Sequence, residues 1–287
     1  MSVLLIGADS RLSKRVIKII EIKYLTSRKK ESQYLFLDLE DTSNFIIPND
    51  VEKCLIVGGP VSYGQSNNNK NYVKDIHLNQ IPNLVKNLLE RNIFTVYISS
   101  NMVLGKESVV RNEFSSPYPN IEYGKIKFNC EKEISNIAAK LNKTKKLAIL
   151  RLTKNISPDT SPFSNWIIAY KKSEIIYPFE DLFFSPVNFE SSAKCIKEIL
   201  NREESGIFHF SGEEDINYLQ FAKELNKELI NKNKKTLKII SSTSHERGIK
   251  VEDIGEITKL DMNYTTERIK VRPISIKYIC KYLVDYF

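Results

Sequence analysis

The chain has 287 residues and a mass of 33.2 kDa, long enough for one large domain or two fused lobes. Its 41% hydrophobic and 27% charged residues, with ten glycines and ten prolines, exclude a disordered or collagen-like polypeptide. The net charge of +8 is spread over short clusters at 28–30, 143–146 and 232–235, without the interleaved aromatic residues of a stacking platform, so no nucleic-acid partner is expected.

Cysteines 54, 130, 195 and 280 and histidines 77, 209 and 245 are too scattered for a disulfide frame or a metal site. No apolar run approaches eighteen residues, and the first residues lack a basic leader with a small-residue cleavage site, which predicts a soluble, cytoplasmic protein without a membrane partner.

In chain order, an apolar run ends at Gly7. It is followed by Ala8-Asp9-Ser10 and an amphipathic stretch through Val16, Ile17, Ile20 and Tyr24, which reads as strand, tight turn and helix. Further strands are predicted at 34–39, 54–57, 94–99, 147–152 and 207–210, with helical periodicity between several of them. That alternation predicts an α/β fold, a Rossmann-type doubly wound parallel sheet covered by helices. The interval 40–53 is short for a helix, a strand and two connections, so the sheet is expected to be trimmed there. Beyond Ser157 the pattern loosens into a smaller C-terminal lobe. The expected organisation is a nucleotide-binding core over 1–158, a substrate-lobe insertion over 159–184, a return to the sheet over 185–212 and a C-terminal substrate lobe over 213–287.

A dinucleotide-binding turn needs glycines so that backbone N–H groups can approach the pyrophosphate. Here Gly7 holds the first glycine position, and Ser10 and Ser13 occupy the other two. A Cβ then intrudes on the phosphate path, while a serine hydroxyl offers a compensating donor. Asp38, at the end of the predicted second strand, is a candidate partner for the adenosine ribose, although a solvated loop carboxylate is an equal reading. If it binds the ribose, NAD(H) is preferred, because a 2′-phosphate beside a carboxylate is repelled. Arg11 and Arg28 keep NADP(H) open.

Tyr123 and Lys127 form a Tyr-x-x-x-Lys pair on one helical face. Such pairs arise by chance in a chain this rich in both residues, so context must supply the meaning. Upstream, a predicted strand ends in Tyr97-Ile98-Ser99-Ser100, which puts a hydroxyl at the sheet edge where α/β proteins bind ligands. Bringing a phenol from a pKa of about 10 to about 7 takes roughly 4 kcal/mol of phenolate stabilisation, which an adjacent ammonium can largely provide. Ser100 would then hold the substrate oxygen.

With these residues in order, the chain resembles the extended short-chain dehydrogenase/reductase family, in the sugar-nucleotide branch that includes dTDP-4-dehydrorhamnose reductase and NAD-dependent epimerases. The likeness runs through Val3-Leu4-Leu5-Ile6-Gly7, Val57-Gly58-Gly59, Asn79, Ser99-Ser100, Tyr123 to Lys127, Leu150-Arg151-Leu152 and the segments 185–190 and 206–212. The resemblance implies catalytic roles for Ser100, Tyr123 and Lys127 supported by Asn79. It implies cofactor contacts at Gly7, Ser10, Arg11, Leu12, Asp38, Gly58, Gly59, Tyr123 and Lys127, and substrate contacts at Ser100, Asn101, Asn165 and Trp166, although Trp166 reads equally as a packing residue. A nucleotide-sugar substrate, a role in surface-polysaccharide or deoxysugar biosynthesis and a homodimer are implied with them. Related dehydratases carry an Asp-Glu pair after the Ser/Thr, where this chain has Asn101-Met102. That favours reduction of a 4-keto sugar, with epimerisation second. The serines in the phosphate turn leave a third reading, a non-catalytic nucleotide-binding or regulatory module.

Overall fold

The computed structural model describes residues 2–57, 59, 70–106, 109–248 and 256–287. Strands β1 (Val3–Ile6), β2 (Tyr24–Ser27), β3 (Leu35–Phe36), β4 (Lys53–Ile56), β5 (Phe94–Ser100), β6 (Leu147–Leu152) and β11 (Gly206–Phe210) form one parallel sheet in the order β11-β6-β5-β4-β1-β2-β3. The central strands read as unbroken apolar runs because both faces are covered.

One face packs under α1 (Arg11–Val16), α6 (Phe189–Arg202) and α8 (Asn263–Ile269), around Leu5, Val96, Leu150 and Phe208. The other carries α2 (Lys70–Asp75), α3 (Ile81–Glu90) and α4 (Glu122–Lys140), around Ile6, Ile56, Tyr97 and Ile149. A third apolar cluster lies away from the sheet. It joins α5 (Phe163–Lys172), α7 (Tyr218–Asn231), α9 (Ile276–Val284) and the short pairs β8 (Ile175–Ile176) with β13 (Lys238–Ile239) and β9 (Phe183–Phe184) with β12 (Ile216–Asn217). Strands β7 (Lys154–Ile156) and β10 (Pro186–Asn188) pair with each other where the chain leaves the sheet and returns to it. Helix α8 belongs to the sheet, since Met262 and Ile269 are buried against it.

Two expectations need correction. The amphipathic stretch after Gly7 is helical only to Val16, and Tyr24, read as its last apolar position, instead opens strand β2. The expected strand at 34–39 is the two-residue edge strand β3, third in sequence. The β-branched and aromatic residues Tyr24 and Thr26 carried the strand signal, but the spacing of Val16, Ile20 and Tyr24 also fits a helix. The trimmed interval is real: from β3 to β4 the chain crosses without a helix, and Leu37, Ile47 and Val51 fill the core from loop.

Helix α4 shows why a helix docks at one rotation. Ile126, Cys130, Ile134 and Ala138 repeat at four-residue spacing and are buried, while Lys125, Asn129, Lys132 and Glu133 face water. Its rotation is set by Glu131, which accepts hydrogen bonds from Arg151 of β6 at 2.7 Å from Nη2 and 3.1 Å from Nε. Arg151 is 1% exposed and Glu131 3%. Truncating one member of such a pair strands the other charge in low dielectric. Glu131→Ala is therefore expected to lower the unfolding free energy by about 3–5 kcal/mol in urea titrations, and pairing Glu131→Leu with Arg151→Met should recover most of the loss.

Candidate active site

The site lies along the carboxyl ends of β1, β2, β4 and β5, where the connections from β1 and β4 leave the sheet in opposite directions. A cleft of about 710 Å³ opens there, walled by Gly7, Ser10, Thr26, Arg28, Leu37, Asp38, Gly59 and Tyr72, among others. Gly7 has φ of 87° and Gly59 of 139°, conformations that admit the sharp exit of each strand only at glycine. Gly58 lies outside the described residues.

The two serines close the turn on itself. Ser10 caps α1 and accepts from the Ser13 amide at 3.0 Å; its hydroxyl donates to Ser13 Oγ at 2.8 Å, and Ser13 in turn donates to the Gly7 carbonyl at 2.8 Å. The hydroxyls expected to meet a phosphate are thus engaged within the turn, where they reinforce its shape. Arg11 reaches away from the cleft to Asp159, at 2.9 Å from Nε, and ties the phosphate turn to the loop entering the second lobe. The Leu12 side chain is buried in the core and is not a cleft wall. Asp38 lines the cleft, but it follows β3, and its carboxylate accepts from the Glu40 amide at 3.0 Å. The residue just past β2 is Arg28, 21 residues after Gly7, at the spacing expected of the ribose-reading position.

At the far end of β5, Ser100 caps a short 3₁₀ turn, Asn101–Leu104, accepting from the Met102 amide at 3.2 Å. Its hydroxyl donates to Asn101 Oδ1 at 3.3 Å, and the Asn101 amide donates to the Thr258 carbonyl at 2.9 Å, linking the turn to the C-terminal segment. Tyr123, in the first turn of α4, hydrogen-bonds Ser100. The two meet because Gly124 has no side chain: a Cβ there would stand 2.2 Å from the Met102 carbonyl oxygen. Burial raises the Tyr123 phenol above its ordinary value, and the Ser100 hydrogen bond opposes that rise. The phenol is accordingly protonated at neutral pH, where proximity to Lys127 alone predicted a lowered value.

Lys127 is 8% exposed and donates to the Tyr97 hydroxyl and to the Ile98 carbonyl, both at 3.1 Å. Its ammonium also lies 4.8 Å from the centre of the Tyr97 ring. Burial lowers its pKa to about 8, against the opposing influence of Cys130 and Glu131. Asn79 is not in this network. Residues Ile76–Gln80 form a π-helical turn, whose wider winding rotates Asn79 to the surface, where it donates to Asp75 at 2.6 Å. The residue turned inward is His77, fully buried, with Nδ1 3.4 Å from the Tyr97 hydroxyl.

Of the two expected substrate contacts in the second lobe, Asn165 is exposed on α5. Trp166 is 4% exposed and packs edge-on against Phe163 and Tyr218, which makes it a core residue. Sequence reading missed His77, Gly124 and Tyr97. The neighbouring Gly in Tyr123-Gly124 was the one visible sign, since glycine inside a helix implies close approach. Among the described residues no cluster of histidine, cysteine and carboxylate can hold a metal, and no helix is long and apolar enough to cross a membrane.

Comparison with known proteins follows this geometry. The family model described as the RmlD substrate binding domain matches residues 1–254. Among solved structures, a dTDP-4-dehydrorhamnose reductase from Clostridium acetobutylicum superposes with a TM-score of 0.76 at 17% identity, covering 99% of each chain. The dTDP-4-dehydrorhamnose reductase of Bacillus anthracis, solved with NADP, gives 0.78 at 17% identity over 100% of this chain and 98% of its own. A UDP-glucuronic acid 4-epimerase of Bacillus cereus, solved with NAD and a fluorinated UDP-sugar, gives 0.80 at 14% identity with the same coverage. A search of curated protein sequences finds no match.

The tightest fit at the site carries a direct test. Replacing Gly124 with Ala forces a methyl group into the Met102 carbonyl, so the variant is expected to lose about 1–3 kcal/mol of stability in thermal or urea unfolding, as overpacked sites do.

Proposed function

The chain belongs to the family of the RmlD substrate binding domain, which has the extended short-chain dehydrogenase/reductase fold, and on that premise we propose that it is an NADP(H)-dependent reductase of a nucleotide-linked 4-keto sugar. The observation that carries this reading is the Ser100–Tyr123 hydrogen bond, one helical turn from buried Lys127, at the strand ends that border a cleft of about 710 Å³. The residues present fit a nicotinamide dinucleotide: Gly7, Ser10 and Gly59 would pass its phosphates and ribose, Thr26 and Arg28 would meet the adenosine, and Leu37 and Tyr72 would wall the base. Bound there, the cofactor supplies the hydride.

This chain's own residues then handle the oxygen and the proton. Ser100 holds the sugar carbonyl by a hydrogen bond, which orients it against the Tyr123 phenol. Tyr123 donates its proton as negative charge develops on that oxygen, and the Ser100 hydrogen bond stabilises the phenolate left behind. A phenol held protonated by burial suits this direction, because a donor must arrive with its proton. Epimerisation begins with the same tyrosine acting as base.

The preference for NADP(H) revises the one drawn from Asp38. Strand β2 ends at Ser27, so the position that reads the adenosine ribose carries Arg28, whose guanidinium suits a 2′-phosphate. Asp9 in the turn is bound by Ser27 at 2.6 Å and faces the Lys29 ammonium at 3.7 Å, which moderates its repulsion of phosphate.

Two measurements test the proposal. With NADPH and a panel of nucleotide-linked 4-keto sugars, Tyr123→Phe should reduce turnover by about 10²- to 10⁴-fold, while wild-type protein that turns over none of the panel would overturn the reading. In calorimetric titrations Arg28→Ala should weaken NADPH by about 10- to 100-fold and leave NADH nearly unchanged, as expected for a lost charged hydrogen bond.

A further inference from the structure

The buried side of the site holds two titratable side chains with no part in the chemistry above. Tyr97 is fully buried, and its hydroxyl lies between the Lys127 ammonium at 3.1 Å and His77 Nδ1 at 3.4 Å. An ammonium only donates, so Tyr97 accepts from Lys127 and its own proton is left for His77 Nδ1 or for the Cys130 sulfur, which also hydrogen-bonds the phenol. The tautomer that accepts at Nδ1 carries its proton on Nε2, which is buried and has no partner among the described residues. The imidazole sits under Gly59, where an ideal Cβ would lie 2.8 Å from His77 Cε1 and 3.0 Å from Nε2. Gly59 is in turn a wall of the cleft. A histidine without solvent contact, one ring nitrogen joined to the active lysine through a phenol and the other against the cleft wall, is costly to bury unless that arrangement has a use.

We propose that His77 and Tyr97 are positioning residues for Lys127, a directed hydrogen-bond chain from Lys127 through Tyr97 to His77 that holds the ammonium at the site and keeps it charged. The inference builds on the reductase reading, since it concerns the lysine assigned there. The chain works because the imidazole stays neutral: burial and the Lys127 charge keep it well below the ordinary histidine range, so it accepts and never competes as a cation. The groups that face Lys127 are Tyr97 from β5, His77 from the π-helical turn, Cys130 and Glu131 from its own helix, and Arg151 from β6 through Glu131. Glu131 and Cys130 favour the charged form, burial opposes it, and the Tyr97 oxygen is the one side-chain acceptor the ammonium has among the described residues. Removing that acceptor leaves burial less opposed, so the lysine loses its proton at lower pH.

The test reads Lys127 with and without turnover. In protein carrying ¹³C at the lysine ε-carbon, the signal absent from Lys127→Met is followed against pH in wild type, Tyr97→Phe, His77→Leu and His77→Asn. Wild type should titrate near pH 8. Tyr97→Phe, which keeps the ring, should move the midpoint down by about one unit, a roughly tenfold loss of proton affinity. His77→Leu should shift it in the same direction, and His77→Asn, which retains an acceptor, should restore it. The alkaline limb of the NADPH-dependent rate should move with the midpoint while the KM for NADPH holds. An unmoved Lys127 midpoint in Tyr97→Phe overturns the proposal whatever the substrate, and Tyr97→Phe alone decides it if the His77 variants fail to fold. Loss of all turnover in wild type, with the midpoint shifts intact, faults the reductase assignment and leaves the hydrogen-bond chain standing.

Discussion

The buried ion pair between Glu131 and Arg151 fixes where α4 sits, and the site depends on that helix. Tyr123, Gly124, Lys127 and Glu131 lie at spacings of one, three and four residues along it, so a single rotation serves all four. Anchoring Glu131 to the sheet presents Gly124 to the Met102 carbonyl, Tyr123 to Ser100 and Lys127 to Tyr97. A shifted helix would lose these contacts together. Burying two charges is weak evidence of added stability, but it constrains register, because turning α4 would part the two charges in low dielectric.

Burial acts oppositely on the two titratable groups that α4 brings to the site. Burial pushes the two groups in opposite senses, the Tyr123 phenol up and the Lys127 ammonium down, because it disfavours whichever form is charged. Each group is therefore nearer to its neutral state than in water, and each needs a specific partner to act as an ion. Ser100 serves the phenol, and Tyr97 serves the lysine. Catalysis in such a setting is a matter of placed dipoles more than of net charge, which is why the chain's overall +8 says little about it.

Much of the fold was legible because buried parallel strands leave unbroken apolar runs: β1, β4, β5, β6 and β11 all fall where such runs predict them. Strand β2 was not legible, since Val16, Ile20 and Tyr24 sit at helical spacing while belonging to two different elements. That one misassignment also hid that the residue just past β2, 21 residues after Gly7, is Arg28. The Ser100–Tyr123 contact was legible because it joins a strand end to the first turn of the helix that follows. His77 was hidden by the π-helical turn, since counting at 3.6 residues per turn does not anticipate an inserted residue. Trp166 was left open between two readings, because an aromatic in an amphipathic stretch looks the same whether it lines a pocket or packs a core, and it packs a core.

The helix-free crossing between β3 and β4 leaves β3 two residues long, with Leu35 and Phe36 partly exposed and the Lys30 ammonium 5.6 Å from the Phe36 ring. At the opposite border, two outward amides at the end of β11 are already taken: His209 donates to the Thr265 hydroxyl at 2.8 Å and Ser211 to the Met262 sulfur at 3.1 Å. One margin is too brief to template a new strand, and the other is sealed by the chain's own C-terminal segment. Both margins thus disfavour growth by strand addition, whether from a second copy or an extended peptide.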